Sequence, residues 1–504
     1  MSAIAPNDPH ATYAVLKLAV LSKANYSQLV VKTSDASEAW APLEQAICSY
    51  AIPAITGERC TPPAERRMYS LPVTSGGLSI ANPIDTANAQ FDASQQATSM
   101  LSSLLLAASD MEWADHQAHR SHFAAEAQKA KRRRQQVHEQ LRDALAGEKV
   151  GLGGGGGEAA NGRQKGRARA PAAVVAANAP HTARAPLAAA AAASRPAMPA
   201  AAGQAQPTAP RAAPLLTDPH KRRAFIRAAS YKTGAFLLVP PVKSVGFHLA
   251  KYQWLDAIAV RYNLTLKNAP AFCSSDRCRA RNGPNGSRYT LKHALVCKFG
   301  GNVIQRHNAV QNAFKMLCEE AYGKAAVKAN PWLNKKGDRD VLDHNNVCEE
   351  GRCGDLLVGG LHRHATTMID FTVGVQAAVD TQIVLEKMQN TKIEKYQQIC
   401  EVRGYKCAPY AITPDGAHGA VAWGLLNSVA SSLREKWGKP KCTVTFWARA
   451  RMSCAIARAT SDCIRRSRGD TRGLCAWDEA DVGFEDGAPL SGLVAEARAE
   501  GVRC

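Results

Sequence analysis

The chain has no run of about 18 consecutive apolar residues, the length that a bilayer-spanning helix needs, and no membrane partner is expected. Its first residues, Met1-Ser2-Ala3-Ile4-Ala5-Pro6-Asn7-Asp8, lack the basic start and apolar stretch of a secretory signal, so a reducing compartment is expected. In such a compartment the fifteen cysteines serve metals or stay thiols more often than they pair. The glycines at 153–157 are not followed by Gly-Lys-Ser/Thr, which argues against a phosphate-cradling loop. Nothing in the sequence points to a small-molecule substrate.

Basic residues, by contrast, are plentiful. The net charge is +20, which points to a polyanion: nucleic acid, DNA or RNA, or an acidic membrane surface. From Lys129 to Arg227 there are eighteen Lys and Arg against five Asp and Glu, so much of the excess is local and says little about a catalytic surface. The run Lys129-Ala130-Lys131-Arg132-Arg133-Arg134 suits nuclear import, or is an ordinary solvated helix face. The nucleus is the expected location, with the cytoplasm as the other compartment open to such a chain.

Composition and periodicity divide the chain into six stretches. Residues 1–147 are expected to be a separate, mainly helical region. Residues 148–218, rich in Ala, Gly, Pro and Arg, bury too little apolar surface to offset their ordering entropy and are expected to form a disordered linker. A helical spacer follows at 219–268, then a Cys/His segment at 269–300. An α/β core over 301–440 is read from helix, strand, strand, helix, strand, helix periodicity. Residues 441–504 read as an arginine-rich helix and an acidic tail.

Cys273-x4-Cys278-x14-His293-x3-Cys297 offers three thiolates and an imidazole across a loop rich in Gly, Pro, Asn and Arg. Four such ligands suit tetrahedral Zn2+ in a closed, structural site. Cys348 and Cys353 with His362 or His364 are a rival set.

In Thr367-Met368-Ile369-Asp370-Phe371-Thr372-Val373, strand alternation puts Ile369, Phe371 and Val373 on one face and Met368, Asp370 and Thr372 on the other. A carboxylate in so apolar a strand is costly unless paired or metal-bound. Asp355 opens the preceding strand-like run, and if the two strands are neighbours both carboxylates can hold Mg2+. The following helix offers Lys392, Lys395 and Tyr396 on overlapping faces. Against this stand plain readings: Asp355 as a turn residue, Asp370 as one half of an ion pair, the lysines as solvated charges.

His293-Ala294-Leu295-x-Cys297, Gly300-Gly301 and Arg306-His307-Asn308 resemble the segment downstream of reverse transcriptase in non-LTR retrotransposon polyproteins that carry a restriction-like endonuclease. The same order continues through Gly354-Asp355, Asp370-Phe371-Thr372-Val373, Lys392-x-x-Lys395-Tyr396 and Gly404–Tyr410. Upstream, Leu71-Pro72 to Ile80 resembles the stretch after the polymerase palm, and Ala224–Tyr262 the spacer before the knuckle. The chain has no Tyr/Phe-x-Asp-Asp, so no reverse transcriptase activity is expected of it alone.

The resemblance implies a PD-(D/E)xK restriction-endonuclease-like core preceded by a zinc knuckle. Asp355 and Asp370 become the Mg2+ carboxylates, and Lys392 or Lys395 stands in for the motif's lysine, because Thr372 occupies that position. It implies nicking of target DNA, with Arg306 and His307 on nucleic acid. Gly354 stands where proline is common, and Asp340 competes with Asp355 as the first acidic residue. A nucleic-acid-binding remnant with a degenerate site is the alternative function.

Overall fold

The computed structural model describes residues 7–33, 35–58, 61–107, 112–146, 216–230, 233–266, 268–343, 347–362, 365–375 and 381–469. The expected linker falls outside these residues except at 216–218, and the acidic tail falls wholly outside them.

Residues 7–146 are mainly helical where described. Helix Pro9–Val15 continues through a π-helical turn, Leu16–Val20, into Leu21–Val30. Helix Ala36–Ala46 continues likewise through Ile47–Ala51 into Ile52–Thr56. Pro63–Ser70, Pro83–Leu106 and Trp113–Ala146 follow.

These helices are not a separate region, which corrects the reading from composition. Tyr13, Leu16 and Ile55 share one buried core with Trp254, Ile258 and Phe225 of the spacer. Trp254 Nε1 donates to the Ile55 carbonyl at 2.8 Å, and Arg261 Nη2 donates to the Val73 carbonyl at 2.9 Å. The long low-complexity stretch between the two halves suggested a boundary in sequence. The helices on either side of it nevertheless bury their apolar faces against each other.

His10 is buried in this junction. Its ring stacks 4.5 Å from Trp254, and its Nδ1 accepts from the Leu249 N–H at 3.1 Å. Burial, helped by His248, pushes its pKa down to about 3. The unfolded chain therefore takes up a proton that the folded chain refuses. The stabilisation from a neutral His10 is complete above its ordinary value near 6.5 and is lost as pH falls from there towards 3. The stability advantage of the native protein over His10→Asn, measured by urea unfolding, is expected to shrink by about 2 kcal/mol between pH 6.5 and 5. An advantage that does not change with pH would contradict it.

The C-terminal half is built on a four-stranded sheet. Strands β1 (Val327–Ala329), β2 (Trp332–Asn334), β3 (Arg352–Cys353), β4 (Leu356–His362), β5 (Ala365–Val373) and β6 (Tyr405–Ile412) follow one another in the chain. The sheet order is β1-β4-β5-β6, with β5 and β6 parallel and the other neighbours antiparallel, and β2 and β3 form a separate ribbon. A parallel pair needs a crossover, which helix Thr381–Val402 supplies. Because β5 is central, it is buried on both faces. Ile369 and Phe371 join the main core with Phe314 of helix Asn302–Tyr322, and Met368 joins a second cluster with Tyr396 and Ile399 of the crossover helix. The strand alternation therefore sorts two different helix layers, and Asp370, in step with Met368, faces the crossover helix.

The last described helix, Lys441–Ser467, is buried along most of its length. Its arginines are largely internal: Arg449 and Arg465 are buried, and the Arg465 guanidinium lies 3.8 Å from the centre of the Tyr252 ring. An arginine-rich helix is present as expected, but its charge is spent on packing and on partners inside the fold.

Candidate active site and metal centre

Antiparallel pairing of β4 with β5 places Leu356 opposite Ile369. Asp355 immediately precedes β4, so the register brings it to the level of Asp370, and its charge acts on that carboxyl. Like charges directly across a strand pair repel, so this arrangement needs donors or cations. Asp355 Oδ2 accepts from the Phe371 N–H at 2.6 Å and lies 3.2 Å from His307 Nε2. Asp370 is 4% exposed, and Lys392 Nζ lies 2.6 Å from its Oδ2. Burial raises the Asp370 carboxyl above its ordinary value and the Asp355 charge adds to this, while Lys392 and Tyr396 pull the other way. Burial, with the Asp370 charge beside it, likewise raises the Tyr396 phenol, whose hydroxyl donates to the Cys353 carbonyl at 3.3 Å. Tyr396 thus stays a neutral donor beside the carboxylates.

The two lysines of the crossover helix part ways. Lys392 reaches the carboxylate, whereas Lys395 is exposed with its Nζ 4.7 Å from the centre of the Tyr396 ring. Helical spacing leaves both open, and the side of the helix that meets the sheet separates them. Gly354 also gains a reason. A Cβ there would meet Met368 Sδ at 2.9 Å, and its N–H donates to the Pro331 carbonyl at 3.0 Å, a bond that proline cannot make.

Asp340, the competing acid, lies outside any strand and accepts from Asn334 Nδ2 at 3.1 Å and the Leu342 N–H at 2.8 Å. One role and one residue escape sequence reasoning. His307, expected on nucleic acid, instead bonds Asp355. Gln311, one helical turn on, donates from Nε2 to the Asp355 carbonyl. The spacing His307-x3-Gln311 on a helix that begins at Asn302 carries that signal, since i and i+4 share a face.

Arg306 requires a correction. It is 2% exposed, with Nη1 donating to the Leu295 carbonyl at 3.1 Å and Nη2 to the Val373 carbonyl at 3.4 Å. Its guanidinium therefore clamps the knuckle to the end of β5 and is not available to a phosphate. Arg306→Ala is expected to cost about 3 kcal/mol of stability in urea unfolding, because two charge-assisted bonds and their packing are lost. Weakened DNA binding at unchanged stability would return Arg306 to the interface.

The Cys/His segment closes into a cluster. The ligand atoms of Cys273, Cys278, His293 and Cys297 all lie within 4.8 Å of one another, the only such group among the described residues. Cys273 Sγ and Cys297 Sγ are 3.9 Å apart, and Cys278 Sγ is 3.6 Å from His293 Nε2. Tetrahedral zinc, with Zn–S near 2.3 Å and Zn–N near 2.0 Å, sets edges of about 3.8 and 3.6 Å. The cluster is compatible with a structural zinc, and its sulfurs are too far apart for a disulfide.

Local structure aims the ligands. Thr290 Oγ1 accepts from the His293 N–H at 3.0 Å, capping helix Leu291–Val296, and Ser275 caps helix Asp276–Gly286 towards Cys278. Burial lowers the His293 pKa, which keeps a ring nitrogen free to ligate. Tyr289 ties the knuckle to the last helix, donating from its hydroxyl to the Ile464 carbonyl at 2.8 Å. Gly300 and Gly301, with φ of 84° and 73°, make the left-handed turn from the knuckle into helix Asn302–Tyr322.

The rival ligands do not assemble among the described residues. Cys348 Sγ donates to the Glu350 carbonyl at 3.0 Å, Cys353 Sγ donates to the Gly354 carbonyl at 3.3 Å, and His362 Nδ1 is 3.0 Å from Thr367 Oγ1. His364 lies outside the described residues.

No protein-family profile matches the chain, and no curated protein matches it at a significant level. The ground for assigning a function is therefore the site's own chemistry.

Proposed function

We propose that the chain is a metal-dependent DNA endonuclease that nicks its substrate, with a restriction-endonuclease-like core and a zinc knuckle of retrotransposon type. The observation that carries this reading is the meeting of Asp355, just before β4, with the stretch of β5 that holds Asp370: Asp355 accepts from the Phe371 N–H and lies against His307, and Lys392 Nζ is 2.6 Å from Asp370. Two carboxylates near enough for the charge of one to raise the carboxyl of the other suit a hard divalent cation, and magnesium is the ion that resemblance to such nucleases implies. When bound, it would acidify water and offset charge on a phosphodiester.

The chain's own groups have separate tasks. Asp355 is held in one orientation by the Phe371 N–H and His307. Lys392 is the cation beside Asp370 that a phosphate oxygen meets, and Tyr396 offers a neutral hydroxyl. The knuckle presents Arg277, Arg281, Arg288, Lys292 and Lys298 as exposed side chains, and these, in place of Arg306, suit a phosphate backbone. A nuclear location and service to a polymerase supplied by another chain belong to the same reading.

Supercoiled plasmid incubated with the purified full chain and Mg2+ is expected to turn into open circles, and EDTA to prevent it. One observation favours a second reading. Lys392 already neutralises Asp370, so the pair can stand as a closed ion pair in a nucleic-acid-binding remnant. That reading predicts salt-sensitive DNA binding with no nicking under any divalent metal.

A further inference from the structure

Helix Trp113–Ala146 is tied down towards its ends. His122 Nε2 lies 2.9 Å from the Gln96 carbonyl of helix Pro83–Leu106, and Leu145 is buried in the main core. Between them the helix is bare: every residue from Lys131 to Val137 is exposed. Seven positions at 100° each make nearly two turns, so the helix is open around its whole circumference there. On this stretch, or one turn before it, stand Lys129, Lys131, Arg132, Arg133 and Arg134, all exposed. Lys129 Nζ is 3.5 Å from Glu126 Oε1, a loose surface pair. Cations at i and i+3, such as Lys131 and Arg134, repel each other along a helix that gains nothing here from packing.

The chemistry selects the partner. A membrane-surface helix needs an apolar face, and the neighbouring positions are Ala130, Gln135 and Gln136, with Val137 alone as a larger apolar side chain. A polyanion matches the charge. A helix with its side chains is about 10–12 Å across, the width of the B-form major groove, whereas the A-form major groove is too deep and narrow for side chains to read. We propose that the Lys129–Arg134 stretch is a DNA-docking surface that seats in the major groove of a B-form duplex, separate from the carboxylate site. The proposal does not depend on the nuclease reading, because it concerns binding alone.

The test uses the full chain and a variant carrying K131Q, R132Q, R133Q and R134Q. Glutamine keeps the helix propensity, and exposed side chains leave the core untouched. Affinity for a short fluorescein-labelled DNA duplex is measured by anisotropy across a salt series, beside an RNA duplex of the same sequence. The slope of log K against log salt is expected to become shallower by about 3 to 4, since each phosphate contact adds roughly 0.9. Affinity for DNA at low salt should fall by about a hundredfold or more, with a far smaller change for the RNA duplex. Should the quadruple variant fold poorly, Arg132→Gln and Arg134→Gln are expected to lower the slope by about 0.9 each. An unchanged DNA slope overturns the docking surface. An equal loss on the RNA duplex overturns groove seating in favour of plain backbone attraction.

Discussion

Lys392→Met is expected to lower Mg2+-dependent plasmid nicking by about a hundred- to a thousandfold, the range seen when one preorganised electrostatic group is removed from an active site. Lys395→Met is expected to change it by less than about tenfold, an effect confined to surface charge and substrate attraction. The contrast rests on geometry. Lys392 Nζ is 2.6 Å from a carboxylate that is itself buried, while Lys395 is exposed with its Nζ over the Tyr396 ring. Equal losses in both variants, or a larger loss at Lys395, would contradict the assignment. Far-UV circular dichroism of each variant separates loss of chemistry from loss of fold, since removing Lys392 leaves Asp370 unpaired in a poorly solvated place.

The second large effect concerns the knuckle. The purified chain is expected to carry one zinc, and Cys278→Ser or a strong chelator to release it. The free energy at stake in such sites is about 10–16 kcal/mol, more than the loop could recover from its own packing. Hydrogen exchange should then accelerate across the segment from Cys273 to Cys297, while amides of β5 and β6 stay protected. The path of damage is short, because Arg306 bonds the Leu295 carbonyl just before Cys297 and the Val373 carbonyl at the end of β5. Full protection of the knuckle in a zinc-free sample would remove the structural role. DNA affinity should fall with the metal, since the exposed cations from Arg277 to Lys298 are held in place by it.

Much of this is legible in the residues because local chemistry fixes it. The β5 alternation and the apolar face of helix Asn302–Tyr322 depend on near neighbours, and each of these elements appears within a few residues of where its periodicity puts it, whereas the knuckle stretch read as a loop is partly helical. The Cys/His cluster is legible because its ligands lie within a short stretch of chain.

The features hidden from sequence depend on tertiary placement. Arg306 reads as a surface cation until helix Asn302–Tyr322 is packed with that face inward. Lys392 and Lys395 differ only in which side of the helix meets the sheet. The arginines of helix Lys441–Ser467 suggest a basic surface, yet Arg465 is spent on the Tyr252 ring. The union of the N-terminal helices with the spacer is the clearest case. Nothing local in Tyr13 or Ile55 names Trp254 as the partner, across a chain separation of about two hundred residues.

The measurement that bears most directly on the two-carboxylate site is nicking of supercoiled plasmid by the full chain, beside its Asp370→Asn variant, with Mg2+ present and protein folding and zinc content matched. Open circles from the native chain, absent with the variant while DNA binding persists, are the result that a two-carboxylate metal nuclease predicts. Nicking that survives Asp370→Asn, or a folded, zinc-loaded native chain that binds DNA and leaves it intact, would contradict it.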